Sequence, residues 1–278
     1  MTWTIYDEWF AGLHWAIDAD DDPAGPPERR ALFGYLSGTM TTDEAVHVLR
    51  EEVRPANRSA TRAWGFLIDI IEEFPQDHGK LLELLDAIAQ LLTARGEFEE
   101  GFRFLEWDLQ MYFGGKSNVF GIFTFEKLML CIAGRESDLE KFHSSSYHQH
   151  YQHHYINLSA FIARSWHHRH GEWTNWAMQL SQKALEADHD KLFTNLFGQA
   201  VAQLFLFSGP EMYANSESSQ YKRGPLLLKE RETATVSCWE FWKRRLSQLK
   251  ESELLSDETR ELFSKALESM AKVEAETG

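Results

Sequence analysis

Within residues 79–96, GKLLELLDAIAQLLTARG, the apolar residues Leu81, Leu84, Leu85, Ile88, Leu91 and Leu92 recur three and four positions apart and stop at Gly96. That spacing puts them on one face of an α-helix. Almost every other segment repeats its apolar residues with the same period, and no stretch shows the strict alternation of a half-buried strand. A chain patterned in this way can hide its apolar stripes only against other helices. The expected fold class is therefore all-α, a single compact multi-helix array of about ten helices with one long loop, spanning residues 1–278 as one domain.

The punctuation supports this reading. Thr41 stands three residues before Glu44 in TTDEAVHVLREEV, the pattern of a capping box, and Pro55 follows as a stop. Phe98, Phe102, Leu105, Leu109 and Phe113 form the next stripe, which Gly114 and Gly115 end. Trp173, Trp176, Leu180 and Ala184 predict one helix of the second half, and Leu192, Leu196, Ala200, Leu204 and Phe207 the next. Trp239, Trp242, Leu246 and Leu249, then Phe263, Leu267, Met270 and Val273, predict the last two. Residues 208–237, rich in Ser, Gly, Pro and charge, read as a loop long enough to serve as a lid. The expected parts are thus 1–40 as N-terminal helices and an acidic, Pro-rich linker, 41–135 as a first helical half, and 136–278 as a second half carrying the 208–237 loop.

Charge and composition narrow the partners. Forty-three acidic residues against 28 basic ones give a formal charge of -15, a field that repels phosphate backbones and anionic lipid, so neither nucleic acid nor membrane is expected as a partner. Only Cys131 and Cys238 are present, too few for a disulfide framework or a thiolate metal site, and no apolar run is long enough to span a bilayer. A cytoplasmic location is the expectation. No GxGxxG, GxxxxGK[ST] or GxSxG motif is present, and no cofactor is expected. The DADDDP run at 18–23 sits among prolines and glycines and reads as a solvated linker rather than a magnesium site.

Residues 143–170, HSSSYHQHYQHHYINLSAFIARSWHHRH, hold eight of the twelve histidines. With Ser144 to Ser146 as cap, a helix from about Tyr147 to His167 is predicted. Tyr151, Tyr155, Leu158, Ile162 and Trp166 share one flank. His150, His153 or His154, Asn157, Phe161, Arg164 and His168 share the neighbouring one. His150 and His154, four apart, can ligate one metal ion, with His153 or an acidic residue from another helix to complete the site, but no acidic residue stands on this helix before Glu172, and metal is not the expected use. Imidazoles of near-neutral pKa can instead move protons, while Asn157 and Arg164 steady a developing negative charge. His150, His153, His154, Asn157 and Arg164 are accordingly the candidate catalytic residues. The alternative for each is structural: a solvated histidine face, an Arg164 paired with a carboxylate such as Glu186, and a terminal HHRH that complements the helix dipole.

The blocks PQDHGKLLELLDAIAQL, YINLSAFIARSWHH, NWAMQLSQKALE, CWEFWKRRLSQL and TRELFSKALESMAKVE, in that order, resemble a fungal all-helical family of unknown function. That family is found in filamentous ascomycetes, with some members encoded beside specialised-metabolite genes. Where its pattern has Asn-Leu-Asn, this chain has Ser159 after Asn157 and Leu158. The resemblance implies a helical fold and fungal origin and carries no catalytic residues over. With the polar stripe it suggests a cofactor-independent protein acting on a small organic molecule, of cyclase, isomerase or lyase type, in an aromatic-lined pocket between helices. The competing expectation is a non-catalytic helical module that binds another protein through an apolar groove.

Overall fold

The computed structural model describes residues 27–52, 60–95, 146–168, 173–189, 191–218 and 223–277. The fold is all-α, as expected: the described residues form eleven α-helices, one 3-10 turn and no strand. None of these helices is long and apolar enough to cross a membrane. The chain divides into two units, Met1–Leu109 and Gln110–Gly278. The stripe at 98–113, the acidic run at 18–23 and Cys131 lie outside the described residues.

In the first unit α1 (Pro27–Leu36), α2 (Thr42–Glu52), α3 (Ala60–Glu73) and α4 (His78–Arg95) follow one another, with a 3-10 turn at Pro75–Asp77 before α4. The predicted capping box opens α2. The Thr41 backbone N–H donates to Glu44 Oε2 at 2.8 Å, and the Glu44 N–H donates to Thr41 Oγ1 at 3.3 Å. On α4 the predicted stripe is the buried face, since Leu81, Leu84, Leu85 and Ile88 are all in the core. Leu82 and Ala89 are buried with them, so this face is broader than a single stripe and meets α2 as well as the 3-10 turn. Lys80 fastens α4 to α1: its ammonium donates to the Leu36 carbonyl at 2.7 Å, and its own carbonyl accepts from the Tyr35 hydroxyl at 3.0 Å.

The second unit contains α5 (Ser146–His167), α6 (Thr174–Leu185), α7 (Lys191–Phe207), α8 (Gly209–Asn215), α9 (Pro225–Arg231), α10 (Cys238–Lys250) and α11 (Asp257–Thr277). Its centre is α7, which packs against α5, α6, α8 and α11. The sequence KLFTNLFGQAVAQLFLF is apolar nearly all round, and a helix of that kind is stable only where neighbours cover every side. Residues 194–202 are buried without a break. The polar groups among them are satisfied across the interface. Asn195 donates to the carbonyls of Lys191 and Leu254, both at 2.7 Å, and accepts from the Ser256 N–H and the Thr259 hydroxyl. Gln199 donates to Thr259 Oγ1 at 2.9 Å. Hydrogen bonds thus set the register of α7 on α11 where an apolar contact alone would let it slide.

The 208–237 stretch departs from a plain loop, because it holds α8 and α9. Each begins Gly-Pro, and proline in the first turn supplies a helical φ while giving up an N–H that would be unpaired there anyway. A Gly-Pro pair read as a breaker is here a pair of helix starts.

Gly198 sits in the middle of α7 where a Cβ would lie 2.9 Å from Cζ of Phe263, a ring with no solvent exposure. Alanine is intrinsically better than glycine in a helix by about 1 kcal/mol, but a forced overlap with a locked core ring costs about 1–3 kcal/mol. Gly198→Ala is therefore expected to lower the unfolding free energy measured in urea by a net ~1 kcal/mol, and adding Phe263→Leu to recover part of the loss. A midpoint raised by Gly198→Ala alone would refute the close α7 to α11 contact.

Candidate functional site

The histidine helix forms within a residue of its predicted limits, as α5. Tyr155, Leu158, Ile162 and Trp166 are buried, as the register requires, and so are Ser159, Phe161 and Ala163. The middle of α5 is thus enclosed on every side. Along the polar flank His153 is exposed, His154 and Asn157 are half-buried with partners of their own, and Arg164 is half-buried. The side chain of His150 lies outside the described residues. His167 pairs through Nδ1 with Glu211 at 3.2 Å, tying the end of α5 to α8. Among the described residues no three His, Cys, Asp or Glu side chains gather as a metal site requires.

Arg164 does not meet Glu186. Its guanidinium carbon lies 3.9 Å from the centre of the Phe207 ring, and its Nε is buried with no hydrogen-bond partner. Burial lowers its pKa. An arginine stacks on an aromatic face through its flat, weakly hydrated cation, and here that contact replaces the expected ion pair.

Glu186, just past the end of α6, is buried and serves a different neighbourhood. Its carboxylate accepts from the Gly224 N–H at 2.5 Å and from the Trp242 indole at 2.9 Å, and its carbonyl accepts from the Leu226 N–H at 3.0 Å. Gly224 has to be glycine: a Cβ there would lie 2.5 Å from Cβ of Glu186 and 2.7 Å from its carbonyl oxygen. The start of α9 is held by its backbone, and Leu227 alone of its three leucines is fully buried.

A second latch closes the same segment. Glu217 accepts from the Cys238 N–H at the first turn of α10 and, at 3.1 Å, from Arg231, which also donates to the Cys238 sulfur at 3.3 Å. Burial works against the Glu217 charge, but those donors hold its carboxyl below the usual range. Burial pushes the Cys238 thiol up to about 12, against the pull of Arg223 and Arg231. Cys238 is thus a protonated, inert thiol at neutral pH.

The same linker that carries Glu186 forms one wall of a cleft of about 280 Å³. Ala184, Ala187, Asp188 and His189 line it from the linker side, and Arg245, Gln248 and Leu249 of α10 face them, with Ser252 and Leu254 at one end. Arg245 Nη2 donates to Asp188 at 2.5 Å, while Arg245 Nε is buried without a hydrogen-bond partner. His189 bonds through Nε2 to the Lys183 carbonyl, and since a carbonyl only accepts, Nε2 carries the proton. Its ring lies 5.9 Å from Phe193 and 5.5 Å from Phe197.

Of the candidate catalytic residues whose side chains are described, His153, His154, Asn157 and Arg164, none is among the described lining residues of this cleft. Reading the sequence missed His189, Asp188 and Arg245. The available signal was ADHD between two predicted helices, a histidine flanked by carboxylates. It was outweighed by eight histidines elsewhere.

A family model described as protein of unknown function (DUF3632) matches residues 64–246. No curated protein and no solved structure matches the chain.

Two outcomes follow from the Glu186 and Cys238 environments. Glu186→Ala leaves two buried donors, Gly224 N–H and the Trp242 indole, without an acceptor, at about 1–3 kcal/mol each. Its urea stability should fall by about 2–6 kcal/mol and the near-UV signal of Trp242 should change; a loss under ~0.5 kcal/mol would show the carboxylate to be dispensable. In a Cys131→Ser background, Cys238 should react with a disulfide reagent at pH 8 about a thousandfold more slowly folded than unfolded. Because the folded thiol is raised above its ordinary 9.0, its stabilising contribution is complete below that pH and is lost as pH rises toward 12. Equal reactivity of folded and unfolded protein would contradict this burial.

Proposed function

The chain belongs to the DUF3632 family of unknown function, and from that starting point we propose that it is a small-molecule-binding protein whose ligand occupies the cleft between the α6–α7 linker and α10. The observation that carries the reading is the cleft itself: about 280 Å³, just below the usual size of small-ligand sites, lined by polar and apolar residues in near-equal share. Ala184, Ala187, Leu249 and Leu254 supply the walls, and His189, Arg245, Gln248 and Ser252 the polar contacts.

Turnover of the bound molecule is the finer part of the proposal. A cyclisation, isomerisation or elimination without a cofactor needs an oriented substrate and one or two proton transfers. His189 is the titratable ring in the cleft wall suited to the second task. His154, Asn157 and Arg164 of α5 do not line this cleft, so the proton transfers proposed here do not run through them. The exposure of His153 favours the structural alternative for that residue.

Ala187 is half-buried in the cleft wall, so Ala187→Trp should fill the space with little harm to the core. Screening a fragment set of small acids, amines and neutral aromatics by ligand-observed NMR should give at least one binder. Its affinity should fall more than about tenfold in Ala187→Trp at unchanged Tm, the scale of losing a 1.4 kcal/mol contact. No binder at all, or binders indifferent to Ala187→Trp, would end this reading.

A further inference from the structure

Resting on the cleft as the ligand site, we propose that its ligand is a small organic monocarboxylate, received by the Nε–Nη2 edge of Arg245 in exchange for Asp188. The argument starts from the covalent geometry of arginine. Nε–H and one Nη2–H lie parallel on the same edge of the guanidinium, spaced to match the two oxygens of a carboxylate. In this structure that edge is half used: Nη2 donates to Asp188 Oδ1, and Nε, buried, donates to nothing. A buried N–H left unpaired is costly, and a native structure that carries one invites a partner.

Asp188 is a weak occupant. It stands on the non-helical linker after α6, its side chain is 76% exposed against 20% for Arg245, and exposed ion pairs of this kind contribute little. An incoming carboxylate that bonds both Nε and Nη2 repays the broken pair with two charge-assisted bonds, and Asp188 returns to water. Asp188 remains tethered at the cleft wall, and its charge, returned to water, is screened from the incoming one.

The class follows from what surrounds that edge. Arg245 is the one arginine or lysine among the described lining residues, which fits a singly charged head better than a dianionic phosphate, the more so in a chain of net charge -15. Leu249, Leu254 and Ala184 offer an apolar wall beside it, suited to a short hydrocarbon or aromatic body.

The test uses the full chain and monocarboxylates from acetate to benzoate, each paired with its neutral amide, alongside inorganic phosphate, with affinities from NMR titration. At least one acid should bind, and its amide about tenfold or more weakly. Arg245→Gln should weaken the acid about ten- to a hundredfold, and Arg245→Lys, which keeps the charge and loses the fork, should not restore it. Asp188→Asn, a change at an exposed position, should tighten the acid about three- to fivefold by removing the competitor.

Acids and amides binding alike, phosphate binding more tightly than every acid, acid binding indifferent to Arg245→Gln, or acid binding weakened by Asp188→Asn would each overturn the carboxylate assignment. If neutral fragments bind and Ala187→Trp blocks them while the acids fail, the cleft stands as a ligand site and the carboxylate class falls. If nothing binds, both fall.

Discussion

One buried carboxylate organises the end of the second unit where the cleft lies. Glu186 is removed from water, which is expensive for a charge unless donors replace the lost hydration. The Gly224 N–H and the Trp242 indole are those donors, one from the start of α9 and one from within α10. α9 has only seven residues, far below the length at which a helix persists by itself. Its place is fixed by two backbone N–H groups bonded to Glu186, one to the carboxylate and one to the carbonyl, and by Leu227. With α6 held to α10 in this way, the two residues after Ala187 have little choice of path, and Asp188 and His189 are delivered to the cleft wall opposite Arg245.

What the sequence revealed and what it concealed divide along physical lines. Long amphipathic helices are written in the chain: the stripes of α4, α6, α10 and α11 bury Leu81, Leu180, Trp242 and Phe263 as their periods require. α8 and α9 were hidden because two turns carry no readable period, and because Gly-Pro marks both where a helix stops and where one begins. Glu186 was hidden for another reason. The sequence offers it only as a partner for Arg164, and Gly224 and Trp242, both distant in the chain, make it an interior acceptor instead.

The histidine helix shows the same boundary within a single element. Its limits and its apolar flank follow from local rules, and Ser146–His167 obeys them. The use of its polar flank does not, since each residue is decided by what lies opposite. Arg164 meets the ring of Phe207 rather than a carboxylate, and His167 finds Glu211 on α8. Composition drew attention to eight histidines, yet a helix whose middle is enclosed from Leu158 to Ala163 has little room there for a ligand.

That enclosure explains why the cleft lies where it does. Between two packed helices the backbone groups are spent on the ladder, and apolar side chains fill the space at near-crystalline density. Helix ends are different. The last carbonyls of α6 have no partner within the helix, and they take the Glu186 N–H at Gln182 and the His189 ring at Lys183. The chain then needs Glu186 to His189 to turn into α7, and residues in such a turn can aim polar groups that a continuous helix would hold to its own register. Arg245 on α10 faces that turn rather than a neighbouring helix, so its guanidinium keeps an unspent edge. The ligand site proposed for this chain therefore stands at a helix junction, where the turn after α6 and Arg245 offer polar groups that no helix ladder has used.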